Sequence, residues 1–230
     1  MADGEFNQQE YNKFVIENDV VGFFPQGRTL KSGRFSYWYA NCRNMADTAG
    51  IADKTAGFLM NFLKANGLEF DYVYGVPEGV TKLATVVNYK LGMESKNPNQ
   101  VLVIGRGKPK EHGDPKDKYF IGPAKEGDKI VVVEDVTTTG GSMLSTLDAL
   151  KEAGIKVAAV VALVNRMEIR DDGKTVAQCV EEKGSKYFSM SDADQLIPLA
   201  IEKYKPSGDF LQNFQEKYNE FAIKKINVAE

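Results

Sequence analysis

Hydrophobic positions along the chain switch repeatedly between the 3.6-residue period of a helix and short, unbroken apolar runs. Phe6, Tyr11, Phe14 and Val15 fall on one side of a helix over residues 5–18. Residues 20–39 are rich in aromatics and interrupted at Pro25-Gln26-Gly27, which predicts short antiparallel pieces. Ala52, Ala56, Leu59, Phe62 and Leu63 predict a helix over 51–66, stopped by Gly67. Strands are then expected at 72–76, 101–104, 130–133 and 157–164. Helices are expected at 80–91, 141–153, 177–183, 193–204 and 210–225. In the last helix Phe210, Phe214, Tyr218 and Phe221 form a stripe, read as core packing rather than a ligand box. Strands alternating with helices call for an α/β fold: a central, mainly parallel sheet flanked by helices. One connection breaks the rhythm. Residues 105–122 carry no apolar period, and a connection that long inside a compact domain marks a functional or mobile loop.

The bulk properties narrow the picture only a little. A chain of 230 residues is expected to fold as one domain with a full core. Its net charge of −3 argues against a general binder of nucleic acid or of membrane surfaces. The two cysteines, Cys42 and Cys179, lie far apart and match no metal spacing, so they read as reduced thiols of a cytoplasmic protein. The acidic start has no apolar run behind it, so neither a secretion signal nor a membrane span is expected.

The chemistry concentrates in residues 129–142. Ile130 to Val133 form a β-branched run of the kind buried on both faces of a sheet. Glu134 and Asp135 follow at its carboxyl end. Val136, Thr137, Thr138, Thr139, Gly140, Gly141 and Ser142 then lead into a helix. Backbone N–H groups in such a turn, at a helix N-terminus, form a cradle for phosphate. An ordinary capped turn accounts for the glycines but has no use for two carboxylates. A ligand that carries hydroxyls, or a metal bridging its oxygens, does use them. Gly173-Lys174-Thr175 is not a phosphate-binding Walker loop, because Glu168 stands where its first glycine belongs. No Gly-x-Gly-x-x-Gly follows a strand either.

The long connection carries Arg106, Lys108, Lys110, Lys116 and Lys118 with His112, the single histidine, against Glu111, Asp114 and Asp117. Taken alone it reads as a solvated charged surface, or as a lid that closes cations over a departing diphosphate.

Residues 134–142 resemble the motif for 5-phosphoribosyl-1-diphosphate (PRPP) of the type I phosphoribosyltransferases. The resemblance implies that family's fold, with a small N-terminal hood over residues 1–45 and a mobile catalytic loop at 105–122. It also implies that the paired acids hold the ribose hydroxyls and the Thr/Gly loop the 5′-phosphate. The loop narrows the resemblance to the orotate phosphoribosyltransferases, which carry Arg-Lys-x-x-Lys-x-His-Gly there. Arg106, Lys110, His112 and Gly113 match. Gly107 replaces a lysine whose work Lys108 is expected to do. Leu30-Lys31-Ser32-Gly33-Arg34 with the following aromatics is similar to a second segment of that family. It implies that Lys31 touches both substrates and that Tyr39 packs on the pyrimidine, with Ala40 replacing an aromatic. Arg166 and Glu168 match a third, in which the arginine binds the orotate carboxylate; Asn165 replaces an acid there. Thr138 is expected beside the base. Gly75 to Lys82 fits the place of the diphosphate loop, with Glu78-Gly79 where many relatives have Tyr-Lys. Implied with these are catalytic roles for Lys110, His112 and Lys108, Mg²⁺ held mainly by PRPP with no assigned protein ligand, and a homodimer sharing the loop across its interface.

Two other readings stay open at this point. A transferase for another nucleobase would keep residues 134–142 and have no use for Arg166 as a carboxylate clamp. A regulatory protein of the same fold would bind nucleotide or nucleic acid without turnover; the acidic net charge and the loop speak against it. Activity over a panel of bases separates all three.

Overall fold

The computed structural model describes residues 5–112 and 118–228. Its centre is a four-stranded parallel sheet in the order β3-β6-β7-β8, formed by Tyr72–Gly75, Lys129–Thr137, Lys156–Asn165 and Lys186–Ser189. Helices lie on both faces, as a parallel sheet requires. Side chains alternate along β6, so Val131 and Val133 enter one core and Ile130 and Val132 the other. The first core is shared with α1 (Gln8–Glu17), α2 (Ala49–Ala65), α3 (Thr81–Glu94), α6 (Ala193–Tyr204) and α7 (Gly208–Asn219). The second is shared with α4 (Gly141–Glu152) and α5 (Val176–Glu182). Burial on both faces is why the run reads as continuously apolar in the sequence. The α/β class, with its parallel sheet, is as expected.

A separate antiparallel hairpin is formed by β1 (Val21–Thr29) and β2 (Phe35–Ala40), and a short 3-10 helix, Cys42–Ala46, follows it. Pro25-Gln26-Gly27 does not end β1. The strand continues through a register shift between Phe23 and Arg28, where a proline can do without a ladder bond. The chain reverses later, at Leu30 to Gly33, where Gly33 donates to the Leu30 carbonyl at 2.9 Å.

Two other expectations change, and one strand is added. The strand at 101–104 is not part of the central sheet. Only Ile104–Gly105 (β4) ladders, antiparallel with Phe120–Ile121 (β5), while Val103 turns into the core and Leu102 stays exposed. The last helix stops at Asn219 instead of 225, because the chain beyond it pairs with residues 167–169. Ile169 donates to the Phe221 carbonyl at 2.7 Å and Ile223 to the Met167 carbonyl at 2.8 Å. The edge strand β8, four residues with polar ends, carries too little pattern to be read in advance. The stripe in α7 is core packing: Phe214 and Tyr218 are buried, and Phe210 and Phe214 meet Phe23 edge to face. Among the described residues no helix is long and apolar enough to cross a membrane.

Candidate active site

The carboxyl end of β6 opens into a cleft of about 370 Å³. Glu134, Asp135, Val136, Thr138, Thr139, Gly140, Gly141 and Ser142 line it, with Lys31, Ser32, Arg43, Pro77, Glu78 and Gly79 opposite. Most of the motif read from the sequence therefore faces one cavity, together with Lys31 from the hairpin tip and the Glu78-Gly79 loop. Lys31 Nζ donates to Ser142 Oγ at 3.3 Å, so the hairpin reaches the start of α4.

Asp135 is the hub. Its Oδ1 accepts from the Val136 N–H at 2.8 Å, and its carbonyl accepts from Cys42 Sγ at 3.3 Å. The 75–82 loop presses on it so closely that a Cβ at Gly79 would sit 2.2 Å from Asp135 Oδ2. Glu134 is buried. Burial first, then its hydrogen bonding with Asp135 and that group's charge, push its carboxyl up to about 9 from the ordinary 4.5. Lys31 pulls weakly the other way.

A pH dependence follows. Between pH 4.5 and about 9 the unfolded carboxyl is ionised while the folded one holds its proton. The ligand-free protein should therefore lose stability as pH rises through that window, and keep it in full below pH 4.5. Glu134→Gln should remove this slope. In urea unfolding its advantage over the parent should be close to nothing near pH 4.5 and grow with pH by up to about 1.4 kcal/mol per unit, reaching several kcal/mol near pH 8.5. An equal difference at both pH values would place the retained proton elsewhere.

The turn after β6 is set by Gly140, whose φ of 70° is left-handed and whose Cβ would lie 3.1 Å from Val176. Helix α4 starts directly after it, with its free N–H groups at the cleft. Arg170, unremarked in the sequence, donates to the Thr139 carbonyl and fixes the outer wall of the loop. Thr137 does not line the cleft. It is fully buried, and its hydroxyl is engaged by Tyr187 at 2.6 Å and Asn165 at 3.3 Å, so it anchors the loop from beneath. Asn165, in the place of an acid, carries that link on to Asp192 at 2.9 Å.

The residues expected around the base lie deeper. Arg166 is buried under Trp38, its guanidinium 4.0 Å from the ring centroid. Its Nε donates to Glu168 at 2.7 Å, one terminal nitrogen to Ser36 Oγ at 2.9 Å and the other to the Trp38 carbonyl at 3.4 Å. Arg34 holds the second oxygen of Glu168 at 3.0 Å and reaches Asp171 at 2.6 Å. The adjoining cavity is about 10 Å³, room for a water and not for a pyrimidine. Arg166 thus does not line the open cleft. Nor does Tyr39, which packs on Phe24 at 4.8 Å, or Ala40, which packs against the core. Trp38, not Tyr39, is the aromatic in contact with Arg166.

The long loop is described at its two ends. Arg106 and Gly107 line a second hollow of about 310 Å³ that shares Lys31 and Ser142 with the cleft. Lys108, Lys110 and His112 are exposed and line neither. The Lys110 N–H donates to the Lys118 carbonyl at 2.9 Å, and Lys118 and Tyr119 both bind Glu152 at the end of α4. Gly113, Asp114, Lys116 and Asp117 lie outside the described residues. Lys82 pairs with Asp47 at 3.5 Å and does not face the cleft. Among the described residues no three of His, Cys, Asp and Glu cluster as a metal site. Glu134 and Asp135 still offer oxygen donors of the kind Mg²⁺ takes when substrate phosphates supply the rest.

Comparison with known proteins points to one family. Residues 47–191 match the family model described as phosphoribosyl transferase domain. An orotate phosphoribosyltransferase of Pyrococcus furiosus is 30% identical over 193 residues, 84% of this chain and 97% of that protein. One of Thermococcus gammatolerans is 37% identical over 139 residues, 60% of this chain and 69% of that one. The orotate phosphoribosyltransferase of Mycobacterium tuberculosis, solved in complex with PRPP, superposes with a TM-score of 0.58 at 25% identity, covering 82% of this chain and 98% of that one. The carboxylate pair, the glycine cradle and these relatives together place the chain in the phosphoribosyltransferase family, among the orotate phosphoribosyltransferases.

Proposed function

We propose that the protein transfers the phosphoribosyl group of PRPP to N1 of orotate, giving orotidine 5′-monophosphate and diphosphate, in the synthesis of pyrimidine nucleotides. The observation that carries this reading is the single cleft in which a carboxylate pair, a phosphate cradle and Lys31 converge. The 5′-phosphate sits on the N–H groups of residues 138–142, where the helix N-terminus favours negative charge. Asp135 and Glu134 take the ribose hydroxyls, and fixing the sugar there leaves its C1′ facing the base. The bond from C1′ to the diphosphate oxygen breaks as N1 bonds to C1′, through a transition state with cationic character on the sugar. No enzyme nucleophile is required; positioning and fixed charge lower the barrier. Mg²⁺, bound by PRPP oxygens beside Asp135, would neutralise diphosphate charge. Lys108, Lys110, His112 and Arg106 close over the diphosphate and exclude water. The working form is a cytoplasmic homodimer in which the loop of one subunit serves the neighbouring site.

Arg166 recognises the orotate carboxylate. A guanidinium has five N–H groups, and Glu168, Ser36 and Trp38 engage three of them. Two more buried donors nearby, Arg34 Nε and Trp38 Nε1, lack partners among the described residues, and an arriving carboxylate would relieve that cost. Entry of the base requires the hairpin carrying Trp38 to shift outward, since the cavity there is too small for it. The test is turnover over a panel of orotate, uracil, adenine and hypoxanthine. Only orotate should give nucleotide. Arg166→Ala should lose on the order of 1–3 kcal/mol in kcat/KM for orotate with an unchanged Kd for PRPP. Equal use of uracil, or normal orotate use by the variant, would defeat the assignment.

A further inference from the structure

We infer that Arg43 binds the diphosphate of PRPP, supplying the cation that the 75–82 loop of this chain lacks. The inference rests on the reading of the cleft as a PRPP site. Two places at the diphosphate end carry no cation where the resemblance leads one to expect it. One is Glu78-Gly79; the other is Gly107, and the two are neighbours, since a Cβ at Gly107 would stand 3.5 Å from Glu78 Oε1. Lys82 does not make up the loss, because it pairs with Asp47 away from the cavity. The cleft as described is therefore lined by three carboxylates, Glu78, Glu134 and Asp135, and two cations, Lys31 and Arg43. Lys31 is engaged at the phosphate-cradle end by Ser142. A diphosphate beside Glu78 would meet net negative charge unless Arg43 faced it.

The fold holds Arg43 for that purpose on both sides. Cys42 is buried and donates to the Asp135 carbonyl at 3.3 Å. Asn44 donates to the carbonyls of Asn18 and Asp19, and Met45 is buried with its carbonyl bound by Thr55. Arg43 is exposed between these anchors, and no hydrogen bond or ion pair to a described residue holds it. Gly79 and Cys42 both touch Asp135, so Arg43 and the 78–79 turn flank the same carboxylate. A planar guanidinium there suits the paired oxygens of a diphosphate.

The experiment is calorimetric titration of Mg²⁺-diphosphate and, separately, of orotidine 5′-monophosphate into the parent, Arg43→Ala, Arg43→Lys and Lys82→Ala. Arg43→Ala should bind diphosphate roughly tenfold or more weakly. Its affinity for the monophosphate, which lacks the diphosphate, should stay within about twofold, and Arg43→Lys should recover part of the loss. Lys82→Ala should bind as the parent does. Unchanged diphosphate binding in Arg43→Ala would overturn the inference. So would a parallel loss of both ligands, or a loss in Lys82→Ala equal to that in Arg43→Ala. Should the parent bind diphosphate through Arg43 and yet not turn over orotate, the base assignment fails while this one stands.

Discussion

Lys110→Ala is expected to lower kcat by roughly 10²–10³ while leaving the fold intact, the size of loss seen when one fixed donor to developing charge is removed. Lys110 is exposed, and its backbone N–H donates to the Lys118 carbonyl. Its exposure means that truncating the side chain should not disturb the core. A contact formed mainly as diphosphate departs should reduce kcat more than it raises the KM for PRPP. Lys108→Ala should be impaired less severely, since Lys108 is expected to replace the lysine absent at Gly107. If the loop serves the neighbouring subunit, mixing Lys110→Ala with Asp135→Asn should return activity to heterodimers, each with one site carrying neither change. Parent-level kcat in Lys110→Ala would remove its catalytic role. Absence of recovery in proven heterodimers would remove the shared site.

The largest loss of stability is expected from Glu168→Ala, about 3–5 kcal/mol, because it strips the carboxylate from between two buried guanidiniums. Arg34 keeps Asp171 and the Ile169 carbonyl, but Arg166 keeps only Ser36 and a long contact to Trp38. Burial already draws the Arg166 guanidinium below its ordinary value, and Glu168 is the main group opposing that. A chain of this size should lose roughly 6–20 °C in Tm for such a change. Glu168→Gln should fall between the two, since it keeps the acceptor and loses the charge. Thermal and urea unfolding decide it: a loss below about 1 kcal/mol would show that the buried network is not what fixes Arg166.

The parts of the site legible in advance are those whose chemistry and geometry share one short segment. Ile130 to Val133 announce a strand by composition, Gly140 announces a left-handed turn, and Glu134 and Asp135 stand between them. Local backbone preference fixes that order, so the cleft could be placed before any contact was known. Arg43 gave no comparable signal. It sits in a polar stretch with no period, and its direction depends on a cysteine meeting a carbonyl 93 residues away.

What the sequence alone determined is the α/β alternation, the strand–cradle–helix unit at 129–152 and the unusual charge and length of the 105–122 loop. All follow from periodicities and turn residues that act over a few neighbours. Tertiary structure decided the rest. It buried Arg166 beneath Trp38, tied the Thr137 hydroxyl to Tyr187 beneath the turn, ended α7 at Asn219 and turned Arg43 toward the cleft. Each of those outcomes is a competition between partners distant in the chain. Arg34 and Glu168, 134 residues apart, pair only because the hairpin folds over the end of β7. A buried charge takes whatever partner the fold brings near, since leaving it alone costs more than almost any rearrangement of side chains.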